Sequence, residues 1–372
     1  MKAFPSRILM TVDAVGGVWR YSLDLAAELG RRGVETIFVG LGPSPEPHQI
    51  AEAAKTGELL WLGLPLDWMA GCVRDLESVA PMLAETAERY QVDLLHLNLP
   101  SQASGLHSQK PVVTVSHSCI PTWSMQVKGT RPPQNWHWHG VLNRQGLMQA
   151  TAVVAPSHSH GQALETCYGP LPHLSVIENA SAVQASCRQR DAVVFAAGRW
   201  WDEGKNGRVL DAAAGLCGLP VLMAGELQGP EGQSLVLSHA RGLGPMPHRA
   251  MVAALAQAEI FASPSLYEPF GLAALEAARC GVPMVLADIA TYRELWQDAA
   301  LFAPPDDPDA FAAVIREFHQ RPQQRQALAA RAMFRAAEFT LARQADAMLA
   351  LYRGCSGAKA ASPLCLSARR LS

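Results

Sequence analysis

Short apolar runs of strand length alternate with amphipathic segments along most of the chain. Residues 7–12 and 34–39 are two such runs, and between them Val18, Leu25 and Leu29 recur at the spacing of one helix face. Further runs of strand length lie at residues 59–62, 94–97, 112–116, 152–155, 174–177, 192–197, 221–224, 260–262, 282–287 and 301–302. Strands that alternate regularly with helices are typical of parallel sheets with helical crossovers, and we therefore predict an α/β fold.

An aperiodic segment of small and polar residues, 178–190, interrupts this alternation and has the character of an interdomain linker. The chain has 372 residues, of which 49% are hydrophobic, and this is enough to bury two ordinary cores. We predict a first domain at 1–178, a second domain at 191–340 and a further helix at 341–353. Residues 354–372 lack hydrophobic periodicity, and we expect this tail to be disordered.

The densest pattern lies in residues 259–287, where we predict a strand, a loop, a helix and a second strand. The helix is predicted from Gly271 to Cys280. The loop before it follows a parallel strand, and ligands bind at the carboxyl ends of such strands. Phe270, Gly271 and Leu272 would supply unpaired backbone N–H groups at the helix start, a position that favours an anion such as phosphate.

Two carboxylates frame this predicted helix, Glu268 just before it and Glu276 eight residues later. With an anion at the helix start, Glu268 could accept hydrogen bonds from neutral hydroxyls, and Glu276, about 12 Å along the axis, could reach a second set. This arrangement suits a sugar nucleotide. A structural alternative stays open, in which Glu268 caps the helix and Glu276 pairs with Arg279 on its surface.

Two cations, Arg199 and Lys205, lie in another loop between a predicted strand and a predicted helix. This loop has the same topological place as the loop that contains Glu268. An arginine fork and a lysine point charge facing the crevice could hold a diphosphate. For either residue alone, a solvated surface charge is the alternative.

The first domain contributes a glycine pair and a histidine as candidates. Gly16 and Gly17 follow the first predicted strand, where glycine lets the backbone approach a ligand closely, although such a pair also occurs in simple tight turns. His117 follows the predicted strand 112–116 on the loop side, where a structural histidine is the alternative.

The segment 122–140 is rich in Trp and is interrupted by a Pro-Pro pair, and we interpret it as a long functional loop. Its aromatic side chains suit an acceptor-binding lid or a membrane-contacting patch. His137 and His139 lie two residues apart without a nearby carboxylate or Cys, which is weak support for a metal, and we predict none.

Composition excludes several classes of function. The formal net charge is −2, which disfavours nucleic acid as a partner, and no apolar run is long enough to span a bilayer. The first residues lead into a predicted strand without a cleavage-site pattern, so we expect a cytoplasmic protein. The eight cysteines show no C-x-x-C spacing, and we expect reduced thiols in or near the cores. These cysteines are residues 72, 119, 167, 187, 217, 280, 355 and 365.

The sequence E-P-F-G-L-x-x-L-E-A, which begins at Glu268, resembles the Glu-x7-Glu motif of retaining GT-B glycosyltransferases, in particular those of family four. A weaker likeness extends from about residue 8 to residue 352. The resemblance implies two Rossmann-like domains that face each other across a cleft, with the acceptor on the first and the donor mainly on the second. It also implies that the helix at 341–353 returns to the first domain. The family usually has Asn-Gly where this chain has Asn179-Ala180.

The resemblance also implies roles for individual residues. Arg199 and Lys205 would contact the donor diphosphate, Glu268 would bind sugar hydroxyls and Glu276 the ribose. His117 would face the transferred sugar. The expected catalytic residues are therefore Arg199, Lys205, Glu268 and His117, and the expected substrate-binding residues are Gly16, Gly17, Phe270, Gly271, Leu272 and Glu276.

The expected reaction is transfer of a sugar from a nucleotide-diphosphate sugar with retention of the anomeric configuration, without a metal or other cofactor. UDP-, GDP- and ADP-linked sugars are all candidate donors. A saccharide, a lipid or a small molecule could be the acceptor, and peripheral membrane contact stays open. The alternatives are a sugar-nucleotide epimerase on the same fold and a non-catalytic sugar-nucleotide-binding protein.

Overall fold

The structure, a computed structural model, describes residues 4–184, 190–230 and 232–357 and forms two α/β domains. The strands β1 to β13 are, in chain order, Arg7–Asp13, Glu35–Leu41, Glu58–Trp61, Leu94–Leu97, Val112–Val115, Ala152–Ala155, Leu174–Val176, Asp191–Ala197, Val221–Ala224, Arg241–Gly244, Ala258–Ser263, Met284–Ala287 and Leu301–Ala303. The helices α1 to α13 are Gly17–Arg31, Pro47–Ala53, Val79–Arg89, Ile120–Lys128, His137–Gln149, His158–Tyr168, Gly207–Ala214, His248–Leu255, Leu272–Arg279, Ala290–Trp296, Pro308–Gln320, Pro322–Ala336 and Leu341–Gly357.

Each domain is built on one parallel sheet. The first sheet has the order β3-β2-β1-β4-β5-β6-β7, and the second has the order β10-β9-β8-β11-β12-β13. In both sheets the strand order reverses beside the domain's first strand, between β1 and β4 and between β8 and β11. Loops diverge at such reversals and leave a crevice at the carboxyl ends of the strands. The predicted α/β class with two Rossmann-like domains is confirmed.

The C-terminal helix α13 packs on the first domain, where Met348 and Tyr352 join the core that contains Ile8 and Leu25. The helix continues to Gly357, four residues beyond the predicted end, so residues 354–357 are not part of a disordered tail. Burial of Cys355 in the same core explains the extension. The remainder of the predicted tail, 358–372, lies outside the described residues.

The predicted long loop at 122–140 is mostly helical, and that prediction was wrong. Helix α4 begins with Ile120 and Pro121, and proline is favoured in the first turn because its missing N–H has no helical partner there. Gly129 ends α4 with a left-handed φ of 66°. After the Pro-Pro pair a short 3₁₀ turn, Gln134–Trp136, leads directly into α5. The local capping residues therefore outweigh the breaker signal.

The described cysteines are free thiols, and Cys119, Cys217, Cys280 and Cys355 are buried. Cys72 is exposed, whereas Cys187 and Cys365 lie outside the described residues. No helix in residues 4–184, 190–230 or 232–357 combines the length and apolar composition that crossing a membrane requires.

Candidate active site

Two loops of the second domain meet at the strand reversal between β8 and β11. Asn206, which has a left-handed φ of 55°, ties them together because its Nδ2 donates to the carbonyl oxygens of Pro264 (3.0 Å) and Pro305 (2.6 Å). The backbone N–H of Leu266 donates to the carbonyl of Gly204 at 2.9 Å. The loop after β8 therefore supports the loop after β11, and the two together form one surface of the crevice.

Lys205 and Glu268, predicted separately from these two loops, form an ion pair. Their side chains are 19% and 12% exposed, so most of the pair is withdrawn from water while one side still faces the crevice. Ser265 Oγ donates to the same Glu268 oxygen at 3.3 Å. The pair thus places a cation and a hydroxyl-accepting carboxylate side by side, a contact that sequence spacing alone does not predict.

Gly271 lies one residue before α9 and shapes its start. Its φ of +88° is a conformation that only glycine adopts readily, and a Cβ at this position would lie 2.9 Å from Cε1 of Tyr292. The helix was predicted to begin at Gly271. It begins at Leu272, so Gly271 is its N-cap. The side chain of Phe270 is buried against Phe339 with ring centroids 5.6 Å apart, so it contributes packing to the loop.

Glu276 is buried, and its Oε1 accepts a hydrogen bond from Nε2 of His248 at 2.6 Å. The alternative pairing with Arg279 is wrong, because that guanidinium donates to the carbonyl oxygens of Val183 (3.3 Å) and Phe339 (2.6 Å). His248 is the first residue of α8, and it was not among the predicted site residues. Its partner lies 28 residues away, and no local spacing indicates the contact.

Arg199 reaches across the crevice toward the first domain. Its guanidinium lies 5.5 Å from the ring centre of Trp201 and 3.5 Å from Oδ2 of Asp202. A Cβ built on Gly16 would lie 3.4 Å from Nη1 of Arg199, and one built on Gly17 would lie 3.5 Å from a methyl carbon of Leu272. The glycine turn of the first domain therefore faces both the arginine and the start of α9, and side chains at these glycines would narrow the space between the domains.

Side chains of the first domain fix the relative position of these loops. Oγ of Ser157 donates to the carbonyl of Pro269 at 2.7 Å, and the hydroxyls of Thr122 and Tyr267 lie 2.8 Å apart. Nε1 of Trp123 donates to Oδ1 of Asp202 at 2.9 Å. Helix α4, which occupies the predicted loop region, therefore contacts the loop after β11 through Thr122 and the loop after β8 through Trp123.

His117 lies at the carboxyl end of β5 with its Nε2 2.9 Å from Oδ1 of Asn98. Nδ2 of Asn98 donates to the carbonyl of Thr11 at 2.6 Å, so its Oδ1 is the acceptor and His117 carries its proton on Nε2. Burial, together with the nearby histidines His96 and His160, lowers the pKa of His117 to about 3. The ring is therefore neutral at pH 7 and presents Nδ1 as a hydrogen-bond acceptor.

The two histidines of the segment 122–140 do not form a metal site. His139 is fully buried and stacks on Trp138 with ring centroids 3.8 Å apart, while His137, two residues earlier at the start of α5, is exposed. Throughout the part of the chain that the structure describes, no group of three or more His, Cys, Asp and Glu side chains is arranged to hold a metal ion.

Two family models match the chain, one in each domain. The model described as Glycosyltransferase Family 4 matches residues 15–181, and the model described as Glycosyl transferases group 1 matches residues 208–333. The first match contains the glycine turn and His117, and the second contains Glu268 and Glu276. Arg199 and Lys205 lie between the two matched regions.

Curated relatives match over shorter segments. The chain is 39% identical over 100 residues to the O-antigen chain mannosyltransferase B of Escherichia coli, which is 27% of this chain and 26% of the relative. It is 33% identical over 130 residues to the D-inositol 3-phosphate glycosyltransferase of Jonesia denitrificans, which is 34% of this chain and 31% of the relative. The matches thus span between a quarter and a third of these relatives' lengths.

Solved structures match over nearly the full length. The sucrose-phosphate synthase of Thermosynechococcus elongatus has a TM-score of 0.76 at 18% identity, covering 94% of this chain and 98% of that one. The Anabaena protein HepE in complex with UDP and glucose has a TM-score of 0.72 at 17% identity, covering 92% and 98%. The chain therefore has the GT-B fold, and each of its two domains matches a glycosyltransferase family model.

Proposed function

We propose that the protein transfers a sugar from a nucleotide-diphosphate sugar to an acceptor, with retention of the anomeric configuration. The observation that carries the proposal is the convergence of Arg199, Lys205, Glu268 and the start of α9 at one strand reversal, opposite the glycine turn of the first domain. Both relatives described above are named as sugar transferases, and HepE, which shares the fold, was solved with UDP and glucose. These likenesses support a nucleotide sugar as the donor.

Arg199 and Lys205 would stabilise the negative charge of the leaving diphosphate. Breaking the bond between the anomeric carbon and the phosphate oxygen places negative charge on the diphosphate, and a fixed cation lowers the barrier if it stabilises that charge more in the transition state than in the bound substrate. Arg199 would bind the diphosphate as a fork, and Lys205 as a point charge. The N–H groups at the start of α9 would bind it along the helix dipole. We propose that these groups do the work of a metal ion.

The two carboxylates would hold the neutral parts of the donor. Glu268, beside Lys205, would accept hydrogen bonds from hydroxyls of the transferred sugar, and Glu276 would accept them from the ribose. Because the glycine turn faces Arg199 and Leu272 at close range, the acceptor would enter between the first domain and the transferred sugar.

His117 would bind the sugar and not remove the acceptor's proton. A group with a pKa of about 3 is a very weak base at pH 7, whereas an efficient general base has a pKa near the working pH. Its Nδ1 would accept a hydrogen bond from a sugar hydroxyl. A phosphate oxygen of the leaving group would instead take the acceptor's proton on the face from which it departs, and attack on that face retains the configuration.

A donor screen tests the proposal. Melting curves are measured with UDP-, GDP- and ADP-sugars and with the free nucleotides, and we expect one nucleotide class to raise the melting temperature. A ligand at 100 times its Kd stabilises the folded state by about 2.7 kcal/mol, which is a shift of several degrees for a domain of this size. The bound donor is then incubated with saccharide, lipid and small-molecule acceptors, and the configuration of the product is read by NMR.

Each outcome of the screen has a distinct meaning. Transfer with retention that survives EDTA supports the proposal, and activity restored only by a divalent metal would contradict its metal independence. Formation of an epimeric sugar without an acceptor would identify an epimerase. Binding without turnover would favour a non-catalytic role, and a folded protein that binds no nucleotide sugar would refute the donor assignment.

A further inference from the structure

His248 lies directly against the buried carboxylate that the proposed function assigns to the ribose. Its Nε2 is 2.6 Å from Oε1 of Glu276, whose side chain is only 4% exposed. Burying a carboxylate without a hydrogen-bonding partner costs free energy, so its contacts matter for its position. Within the described part of the chain, His248 supplies the hydrogen bond to Oε1, and Oε2 makes none.

The direction of the hydrogen bond follows from chemistry. A carboxylate can only accept, so Nε2 of His248 carries the hydrogen whether the ring is neutral or charged. Burial alone lowers the pKa of His248, but the hydrogen bond and the negative charge of Glu276 outweigh burial and raise it above the ordinary value of 6.5. The 2.6 Å contact holds Oε1 of Glu276 against the imidazole of His248.

Charged groups of the first domain face the same imidazole. Arg20 and Asp24 lie one turn apart on α1 and form an ion pair at 3.7 Å, and Arg20 also pairs with Glu52 of α2. Arg20 lowers the pKa of His248, whereas Asp24 raises it. One oxygen of Asp24 is buried and has no hydrogen-bond partner among the described residues. His248 thus stands between a carboxylate of the donor side and a carboxylate of the first domain.

We propose that His248 is a positioning residue for the donor ribose: it holds Oε1 of Glu276, so that Oε2 points to the ribose hydroxyls. The inference rests on the proposed function, because it assumes that a nucleotide occupies this side of the crevice. It adds a residue from α8, outside the segment 268–276, to the determinants of donor binding.

The test uses UDP, GDP and ADP together with their 2′,3′-dideoxy counterparts, with affinities measured by calorimetry at pH 7. The wild-type protein should bind the ribonucleotide about 10-fold to 100-fold more tightly than the dideoxy form, because the dideoxy form leaves Oε2 of Glu276 without a hydrogen-bond donor. His248→Leu should weaken ribonucleotide binding about 10-fold and remove most of this preference. His248→Gln should keep the preference, because a glutamine amide can place an N–H close to the position of Nε2.

Two comparisons separate positioning from a general structural role. His319 and Glu259 form a similar pair at 2.7 Å near the amino end of β11, whereas the site lies at the carboxyl ends of the strands. His319→Leu is therefore a matched control that should leave the ribose preference unchanged. In a Glu276→Gln background, His248→Leu should cause little further loss, since both changes remove the same interaction. If His248→Leu does not fold, His248→Asn replaces it, because the shorter amide falls short of Glu276.

The outcomes distinguish this inference from the proposed function. If the folded wild-type protein binds none of the three nucleotides, the proposed function fails and the inference fails with it. If a nucleotide binds and both His248→Leu and His248→Asn keep the wild-type ribose preference, the inference is overturned while the proposed function stands. Loss of preference in His248→Leu with retention in His248→Gln supports the inference.

Discussion

Replacement of Lys205 by methionine, which has a similar length and no charge, tests whether the loop after β8 stabilises the leaving diphosphate. The Lys205–Glu268 pair is mostly withdrawn from water, with exposures of 19% and 12%, so the charge of Lys205 acts in a medium of low polarity. Removal of one such group commonly costs about 10²–10³ in rate, or about 2.7–4 kcal/mol of transition-state stabilisation. Because Arg199 and the start of α9 remain, we expect a loss in this range and not complete inactivity.

Lys128 provides the matched control for this substitution. It also pairs with a glutamate, Glu203, but the two side chains are 46% and 61% exposed, so water reaches much of the pair. An exposed pair contributes about 0–1 kcal/mol. Lys128→Met should therefore change kcat/KM less than threefold, whereas Lys205→Met also leaves Glu268 without its cation and lowers the free energy of unfolding by about 1–3 kcal/mol.

The assay is the initial rate of transfer with the donor identified in the screen, measured well below the melting temperature of both variants. Melting curves taken in parallel show that each variant is folded under the conditions of the assay. If Lys205→Met retained kcat/KM within threefold of the wild-type value, or if Lys128→Met lost as much, the assignment of Lys205 to the diphosphate would be wrong.

Three further outcomes are expected. Glu268→Gln should lower kcat and Glu276→Gln should mainly raise the donor KM, because ribose contacts are shared by ground and transition states; equal changes in both parameters would contradict this division of roles. Gly271→Ala should destabilise the fold by about 1–3 kcal/mol in urea titrations, more than Gly218→Ala, which meets a left-handed φ of +76° but open space. The stability should fall as the pH drops below 6.5, by up to about 1.4 kcal/mol per pH unit for each buried histidine whose pKa is lowered to about 3 or 4, and a flat profile between pH 6 and pH 4 would refute it. These histidines are His96, His117 and His160.

Hydrophobic periodicity was sufficient to predict the α/β class. Strands buried on both faces are near-continuous apolar runs, so the positions of most strands were visible from the sequence, with ends that differ by one or two residues. The reversal of strand order in each sheet, which places the crevice, is not encoded in any local pattern. It follows from which strands pair, and that pairing depends on contacts between distant segments.

The sequence supplied candidate residues for the site, whose roles stay predictions, but it did not indicate their contacts. Sequence spacing placed Glu268 just before α9 and Glu276 within it, yet it gave no indication that Lys205 and His248 would be their partners. Those partners lie 63 and 28 residues away from them in the chain. The error at residues 122–140 arose from a local signal that was given too much weight. The Pro-Pro pair was taken to break the whole segment, although Gly129 and the proline at the start of α4 define a compact helix.

The return of α13 to the first domain has a consequence for the order in which the protein folds during synthesis. The first core is completed by residues from Ala345 to Cys355. The hydroxyl of Tyr352 lies 2.6 Å from Nδ1 of His96, which precedes it by 256 residues in the chain. Among the described residues, the second core is built from residues between 183 and 339, so it can close while the first domain still lacks α13. On the ribosome, the domain made second can therefore finish folding first, because the domain made first must wait for α13 to emerge.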